Sequence, residues 1–251
     1  MPDTPEPAHP TPAGGQPVYL SLVVPCYNEQ ENIPALLKRI EETLGTLGRP
    51  FEAILVDDGS KDDTPRMLAE AKATRPWLRV LRLEPNSGQS AAFEAGFAAA
   101  RGEVIATIDA DLQNDPGEIP RLLPYLQEYD MVTGWRKKRN DNVLRRIQTK
   151  IANRVRNWIS QETINDSASS LKVYKAACLK GLKMWRGAHR FMPTLVKMRG
   201  FTCIEVEVSH HPRHAGSTKY AFGSRVFRAT VDLLGVRWMK SRYLRYTARE
   251  I

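Results

Sequence analysis

Cysteine is scarce in this chain. Its 251 residues hold three, Cys26, Cys178 and Cys203, widely spaced and odd in number. That spacing offers no zinc or redox pattern and argues against a disulfide framework, so a reducing, cytoplasmic setting is expected. Long apolar runs are missing too. No stretch approaches the ~20 residues that a membrane-spanning helix needs. No secretory leader is visible: residues 1–17 carry six prolines and no apolar segment, the composition of a disordered tail. Acidic charge is short, with 28 Asp and Glu against 37 Lys and Arg, a formal net charge of +9. Anionic partners are therefore expected, whether phosphates, nucleic acid or an acidic membrane surface. No internal repeat is present.

What is present is alternation. Tyr19–Pro25, Phe51–Val56, Leu78–Leu83, Val104–Ile108 and Met131–Gly134 read as strands. Helices are expected from a cap at Asn32 to about Leu47, around Thr64–Ala73, and over the Ala-rich Ser90–Ala100, which Gly102 stops. This β-α-β-α order over 18–134 predicts an α/β fold, a mostly parallel sheet covered by helices. Beyond Gly134 the chain turns basic. A helix over 143–158 is expected, its stripe Val143, Leu144, Ile147, Ile151 and Val155 leaving Arg145 and Arg146 outside. Thr202–Val208 alternates as a half-buried strand, and Phe222–Arg245 has an amphipathic helical pattern.

Asp109-Ala110-Asp111 closes the fourth apolar run. Two residues apart on a strand, the carboxylates would project to one side at the sheet edge where ligands bind. Two like charges so close are costly without a cation between them, and hard divalent ions bridge carboxylates to phosphates. Three further motifs fall at carboxyl ends of strands: Pro25-Cys26-Tyr27-Asn28-Glu29, Asp57-Asp58-Gly59-Ser60 and Asn86-Ser87-Gly88-Gln89. Asp57 and Asp58 read equally as the start of a tight turn. Ser87-Gly88-Gln89 leads into a helix N-terminus, a natural anion site or a plain helix start.

The ordered set resembles family-2 inverting glycosyltransferases of the GT-A fold, most of all the polyprenyl-phosphate sugar transferases, over about residues 18–235. The resemblance implies a Rossmann-like, mostly parallel sheet with helices on both faces. It places a divalent cation, Mg²⁺ or Mn²⁺, on Asp109, Asp111 and Gln113 against the donor diphosphate. It assigns Pro25, Tyr27 and Glu29 to the first nucleotide-binding loop, Asp57 to the base, Asp58 to ribose or metal contacts, and Gln89 to the donor. The Gly134-Trp135-Arg136 and Arg145-Arg146 pattern, with Thr149, Asn153 and Arg154, matches that subgroup. Arg136, Arg145, Arg146 and Thr149 would then meet the lipid phosphate, since arginine's planar donors bind two oxygens at once. In Asn165-Asp166-Ser167-Ala168-Ser169-Ser170-Leu171-Lys172 the family's acidic residue is Asp166, while its glycine is missing. Asp166 would orient the acceptor or act as base. Arg213 with Gly216-Ser217-Thr218-Lys219-Tyr220 resembles the loop that closes over the donor, giving Arg213 and Lys219 donor contacts. Asp111, Asp166 and Arg136 are the expected catalytic residues, and His189, His210, His211 and His214 are given no catalytic role.

The expected activity is metal-dependent inverting transfer of a sugar from a UDP- or GDP-linked donor to a polyprenyl monophosphate. The expected organisation is a tail (1–17), a catalytic domain (18–220) and a basic amphipathic extension (221–251). That extension, with Trp238, Tyr243 and Tyr246 among Arg237, Lys240, Arg242 and Arg245, suits peripheral attachment to the cytoplasmic face of the inner membrane. It suits a core-packing helix with a solvated basic side equally well. The principal alternative is a family-2 transferase with a soluble saccharide or protein acceptor. A nucleic-acid-binding module lacks a recognition motif and aromatic stacking platforms. A sugar nucleotidyltransferase lacks its Gly-rich loop, where Tyr27-Asn28-Glu29 stands. The sugar, the base, the lipid length and the oligomeric state are not legible.

Overall fold

Seven strands form one sheet in the order β3-β2-β1-β4-β6-β5-β7 in the computed structural model. It describes residues 17–136, 164–167, 169–209, 211, 222–244 and 249, without the side chains of 222–229. The strands are β1 (Leu20–Cys26), β2 (Phe51–Asp57), β3 (Leu78–Arg82), β4 (Val104–Thr107), β5 (Met131–Trp135), β6 (Lys172–Lys175) and β7 (Cys203–Glu207). The helices are α1 (Ile33–Leu44), α2 (Thr64–Thr74), α3 (Gln89–Ala99), the short α4 (Ile119–Leu122), α5 (Met192–Met198) and α6 (Phe222–Arg242).

Burial explains the sheet. β1 and β2 are continuous apolar runs because helices cover both their faces. Alternate residues of β1 feed two cores. Leu20, Leu22 and Val24 pack with Ile33, Leu36 and Ile40 of α1 and Leu68 of α2 on one side. Val23 packs with Ala92 and Phe93 of α3, Leu195 and Val196 of α5, and Leu233 and Val236 of α6 on the other. α3 lies close because Gly96 faces Val23: an added Cβ there would overlap Val23 Cγ1.

Observed boundaries agree with the expected ones to within a residue or so, except that α1 ends at Leu44 and continues as a 3-10 turn to Leu47, and α6 stops at Arg242; two further details differ. Asn32 does not cap α1 through its side chain; its Nδ2 donates instead to Glu29 Oε2 at 2.6 Å. β4 ends at Thr107, so Asp109 and Asp111 stand in the turn beyond it and not on the strand itself. β6 had no counterpart in the sequence reading. It runs antiparallel to both β4 and β5 and separates them. The other neighbours pair in parallel. The carboxyl ends of β1, β2, β4, β5 and β7 therefore share one edge with the amino end of β6. The chain winds outward from β1 to β2 and β3, then returns to place β4 on the far side of β1. That reversal opens a crevice between the ends of β1 and β4, the usual ligand position in such sheets.

Candidate active site

The loops after β1 and β2 are laced together by polar side chains. Asn28, at φ 53, has its N–H on Ser60 Oγ (2.9 Å), while its own Oδ1 accepts from Lys61 N (2.8 Å). Asparagine tolerates this left-handed conformation better than most residues. The Glu29 N–H donates to Thr64 Oγ1 at 2.8 Å. Pro25, Tyr27 and Glu29 are each half-buried along this wall.

Asp57 and Asp58 divide their work. Asp58 is buried, and its oxygens accept from Ser87 N (2.8 Å), Gly88 N (2.8 Å) and Asn86 Nδ2 (3.0 Å). It thereby fixes the loop that leads into α3. Gly59, at φ 69, lets this loop approach; a Cβ there would sit 3.0 Å from Asn86 N. Asp57 is fully buried; Oδ1 accepts from Ser60 N at 3.0 Å, whereas Oδ2 has no hydrogen-bond partner. Arg82 Nε is 3.7 Å from Oδ2, close enough for attraction and too far for a hydrogen bond. A buried carboxylate oxygen without a donor is costly, and this one stands at the carboxyl end of β2.

The turn after β4 carries the metal candidates. Gln89, the first residue of α3, donates Nε2 to Asp109 Oδ1 at 2.7 Å. Asp111, 9% exposed, accepts at Oδ1 from Gln113 N (3.2 Å). Leu112 between them is at φ 57. Burial, and then the Asp111 carboxylate, push the Asp109 carboxyl up to about 6, against Ser170, Lys172 and Arg136, which favour its charged form. Asp109, Asp111 and the Gln113 amide are hard oxygen donors, and the two carboxylates repel each other, which suits a divalent cation. Among the described residues no group of three or more His, Cys, Asp or Glu side chains could enclose a metal alone. The donor set fits an ion that completes its shell with phosphate oxygens and water.

The acceptor-side candidates meet across the sheet edge. Arg136, just past β5, grips Asp166 in a bidentate pair, Nε to Oδ2 at 2.7 Å and Nη2 to Oδ1 at 2.9 Å. Both side chains are largely buried. Burial works against the Arg136 charge, but Asp166 outweighs it and holds the pKa above its ordinary value. Glu205 of β7 fixes the pair from behind, accepting from Asp166 N (2.8 Å) and from Asn165 N and Nδ2 (2.7 and 3.0 Å). Alternation had marked Glu205 as solvent-facing; its inward role had no sequence signal beyond its place on a half-buried strand.

Two further residues, named in the 165–172 segment, had been given no role. Ser170 joins the two halves: its Oγ accepts from Asp109 N (3.1 Å) and Asn114 Nδ2 (2.8 Å), and its carbonyl accepts from Thr107 Oγ1 (2.6 Å). Lys172, first residue of β6, is buried beneath the site with its Nζ on the Ser169 carbonyl. Burial brings its pKa down to about 8, with Asp109 and Asp166 opposing. His189 is structural: it hydrogen-bonds Ser90 Oγ at 2.8 Å, and burial, followed by Arg190 and Lys172, holds it down at about 3. Arg145, Arg146, Thr149, Arg213 and Lys219, and the expected helix 143–158, lie outside the described residues.

The comparisons with known proteins point one way. The sequence profile of Glycosyl transferase family 2 matches residues 21–185. Dodecaprenyl-phosphate galacturonate synthase of Rhizobium johnstonii is 40% identical over 99% of this chain and 74% of its own length. Undecaprenyl-phosphate 4-deoxy-4-formamido-L-arabinose transferase of Klebsiella pneumoniae is 37% identical over 86% of this chain and 66% of its own length. This chain thus spans about two thirds to three quarters of these curated relatives. In fold it is similar to glucosyl-3-phosphoglycerate synthase from Mycobacterium tuberculosis, solved with Mn²⁺, UDP and glucosyl-3-phosphoglycerate. The TM-score is 0.62 at 18% identity, over 90% of this chain and 80% of the other. The same enzyme with Mg²⁺ and UDP gives a TM-score of 0.64 over 90% and 79%.

Proposed function

This chain belongs to glycosyl transferase family 2, and from that premise we propose metal-dependent, inverting transfer of a sugar from a nucleotide-diphosphate donor to a polyprenyl monophosphate. The similarity to two polyprenyl-phosphate sugar transferases supports the acceptor class. The observation that carries the reading is one juxtaposition. The acidic turn Asp109–Asp111 and the Arg136–Asp166 pair stand at the same sheet edge, joined by Ser170.

Each wall has its task. The free Asp57 oxygen takes an N–H of the base, uracil or guanine alike. Asp58 positions the 86–88 loop so that α3 begins beside the diphosphate. Asp109, Asp111 and Gln113 would hold the divalent ion, which supplies Lewis-acid neutralisation of the departing diphosphate. Arg136 binds the acceptor phosphate on the donors that Asp166 leaves available, with Arg145, Arg146 and Thr149 as its expected companions. The phosphate oxygen is already anionic at neutral pH, so it needs little help from a general base. Asp166, held in two charge-assisted hydrogen bonds, orients Arg136. Catalysis is alignment of that oxygen with the sugar C1. In-line displacement inverts the anomeric centre. A panel of UDP- and GDP-sugars assayed with undecaprenyl phosphate and Mn²⁺ tests the proposal. Transfer to soluble saccharides in place of the lipid phosphate would replace the acceptor class.

The extension carries the membrane part of the proposal. α6 buries Leu233 and Val236 in the core and exposes Val231, Leu234 and Trp238, the last at 65%, on the opposite side. Tyr243 and Leu244 continue the exposed apolar surface, and Arg237 and Arg242 flank it. No helix among the described residues is long and apolar enough to cross a membrane. An apolar stripe edged by arginine and capped by aromatic rings suits shallow insertion into an anionic bilayer. The helix thus packs on the core and presents a second face. Flotation with phosphatidylglycerol vesicles should recover the wild-type chain, whereas a Val231→Ser, Leu234→Ser, Trp238→Ser variant should stay in the soluble fraction; equal recovery removes the anchor.

A further inference from the structure

Lys172 is a buried cation that the mechanism above does not use. It is 3% exposed, and lysine is almost never that buried unless a charge compensates it. Among the described residues its ammonium makes one hydrogen bond, to the neutral carbonyl of Ser169. The carboxylates whose fields reach it are Asp109 and Asp166, while Arg136 opposes it. Register explains why. β6 lies between β4 and β5, and Lys172 pairs with Thr107 on one side and Thr133 on the other. Asp109 follows two residues after Thr107, and Arg136 three after Thr133, so the ammonium sits under the span between metal turn and acceptor arginine. Around Lys172 the described charges at this edge are Asp109, Asp111 and Asp166, with Glu205 behind Asp166, against Arg136 and Lys172 itself.

We propose that Lys172 is a built-in counter-ion of the metal turn, holding Asp109 in place of a cation and making metal binding conditional on the nucleotide diphosphate. A divalent ion arriving alone meets carboxylates already compensated by Lys172 and Arg136. A diphosphate brings its own negative charge, cancels that opposition, and admits the ion with it. Lys172 is a positioning residue on this account, since it touches neither substrate nor ion.

The inference rests on the metal reading of Asp109 and Asp111, and its test needs neither sugar nor lipid. Mn²⁺ is titrated into the wild-type chain and Lys172→Met by electron paramagnetic resonance, with and without saturating UDP. Methionine keeps the unbranched stem and removes the charge, at a cost in stability because Asp109 and Asp166 lose a compensating cation. Lys172 pairs with Thr107, two residues before Asp109, and at an effective dielectric near 20 loss of a charge about 10 Å from the carboxylate turn should tighten Mn²⁺ binding without UDP by about tenfold or more. The gain in affinity on adding UDP should shrink by the same factor. A merely structural lysine predicts the reverse, weaker Mn²⁺ binding in both conditions. Lys172→Gln carries the same expectation should Lys172→Met fail to fold. Unchanged or weakened Mn²⁺ affinity in the folded variant overturns the inference and leaves the proposed function standing. A wild-type chain that binds no Mn²⁺ with or without UDP overturns both, and absence of lipid transfer alone overturns only the proposed function.

Discussion

Asp109 and Asp111 differ in how they are held, and that difference sets their consequences. Asp111 accepts a backbone N–H from Gln113 within its own turn, while Asp109 is tied to Gln89, to Ser170 and electrostatically to Lys172. Asp111→Asn keeps volume and that hydrogen bond but removes the charge. Turnover should fall by about 100-fold or more, with an unchanged melting temperature, as measured by steady-state transfer and calorimetry. Asp109, pushed up to about 6 by burial and Asp111, gives an unusual pH dependence. Its native carboxyl binds a proton more tightly than the unfolded one, whose pKa is about 3.9. Between those values the native state holds more protons, so the contribution to stability falls as pH rises through that window and levels off above about 6. Thermal melts of the metal-free chain should show this slope, and Asp109→Asn should remove it. Mn²⁺ competes with the same proton, so its affinity should weaken below about pH 6. His189 slopes the other way. Held at about 3 in the native state, it stays neutral while the unfolded imidazole charges, so its contribution is complete above about 6.5 and is lost as pH falls.

Elements were legible where burial wrote a period into the chain. The apolar positions of α1, the continuous runs of β1 and β2 and the Ala-rich α3 all follow from two-sided burial, and their boundaries were close. β6 was missed because Lys172, Val173, Tyr174 and Lys175 show neither an apolar run nor clean alternation. Its strand state is imposed by β4 and β5 on either side, a tertiary decision that local sequence does not carry. The same holds within the site. Asp57, Asp109 and Arg136 were named by their motifs. Glu205 and Ser170 act through contacts 39 and 61 residues away in the chain, with Asp166 and Asp109 respectively, and short motifs do not report these. Close packing of α3 on β1 is testable directly. Gly96→Ala pushes a methyl group into Val23 and should cost about 1–3 kcal/mol by chemical denaturation. Because α3 also carries Gln89 and Ser90 at its start, displacement of the helix should lower donor affinity as well.

At the scale of the whole molecule, the proposed function gives donor and acceptor different stretches of one sheet. β1 to β4 and their loops hold the nucleotide-side groups, and β5 to β7 hold Arg136, Asp166 and Glu205. Solved structures at 18% identity share this fold, and the sequence similarity to a polyprenyl-phosphate transferase runs through the second half as well. The net charge of +9 has a place in the same arrangement. It favours approach to an anionic surface over self-association of α6 faces that both carry arginine.

The strand that runs against its neighbours has one more consequence. The polypeptide leaves the sheet at Arg136 and re-enters it through Asp166, and those two residues clasp each other at the point of departure and return. A clasp between residues 30 positions apart fixes where the intervening segment must begin and end. Under the proposed function, a change of acceptor that keeps both members of this clasp leaves the end of β5 and the approach to β6 tied together as they are.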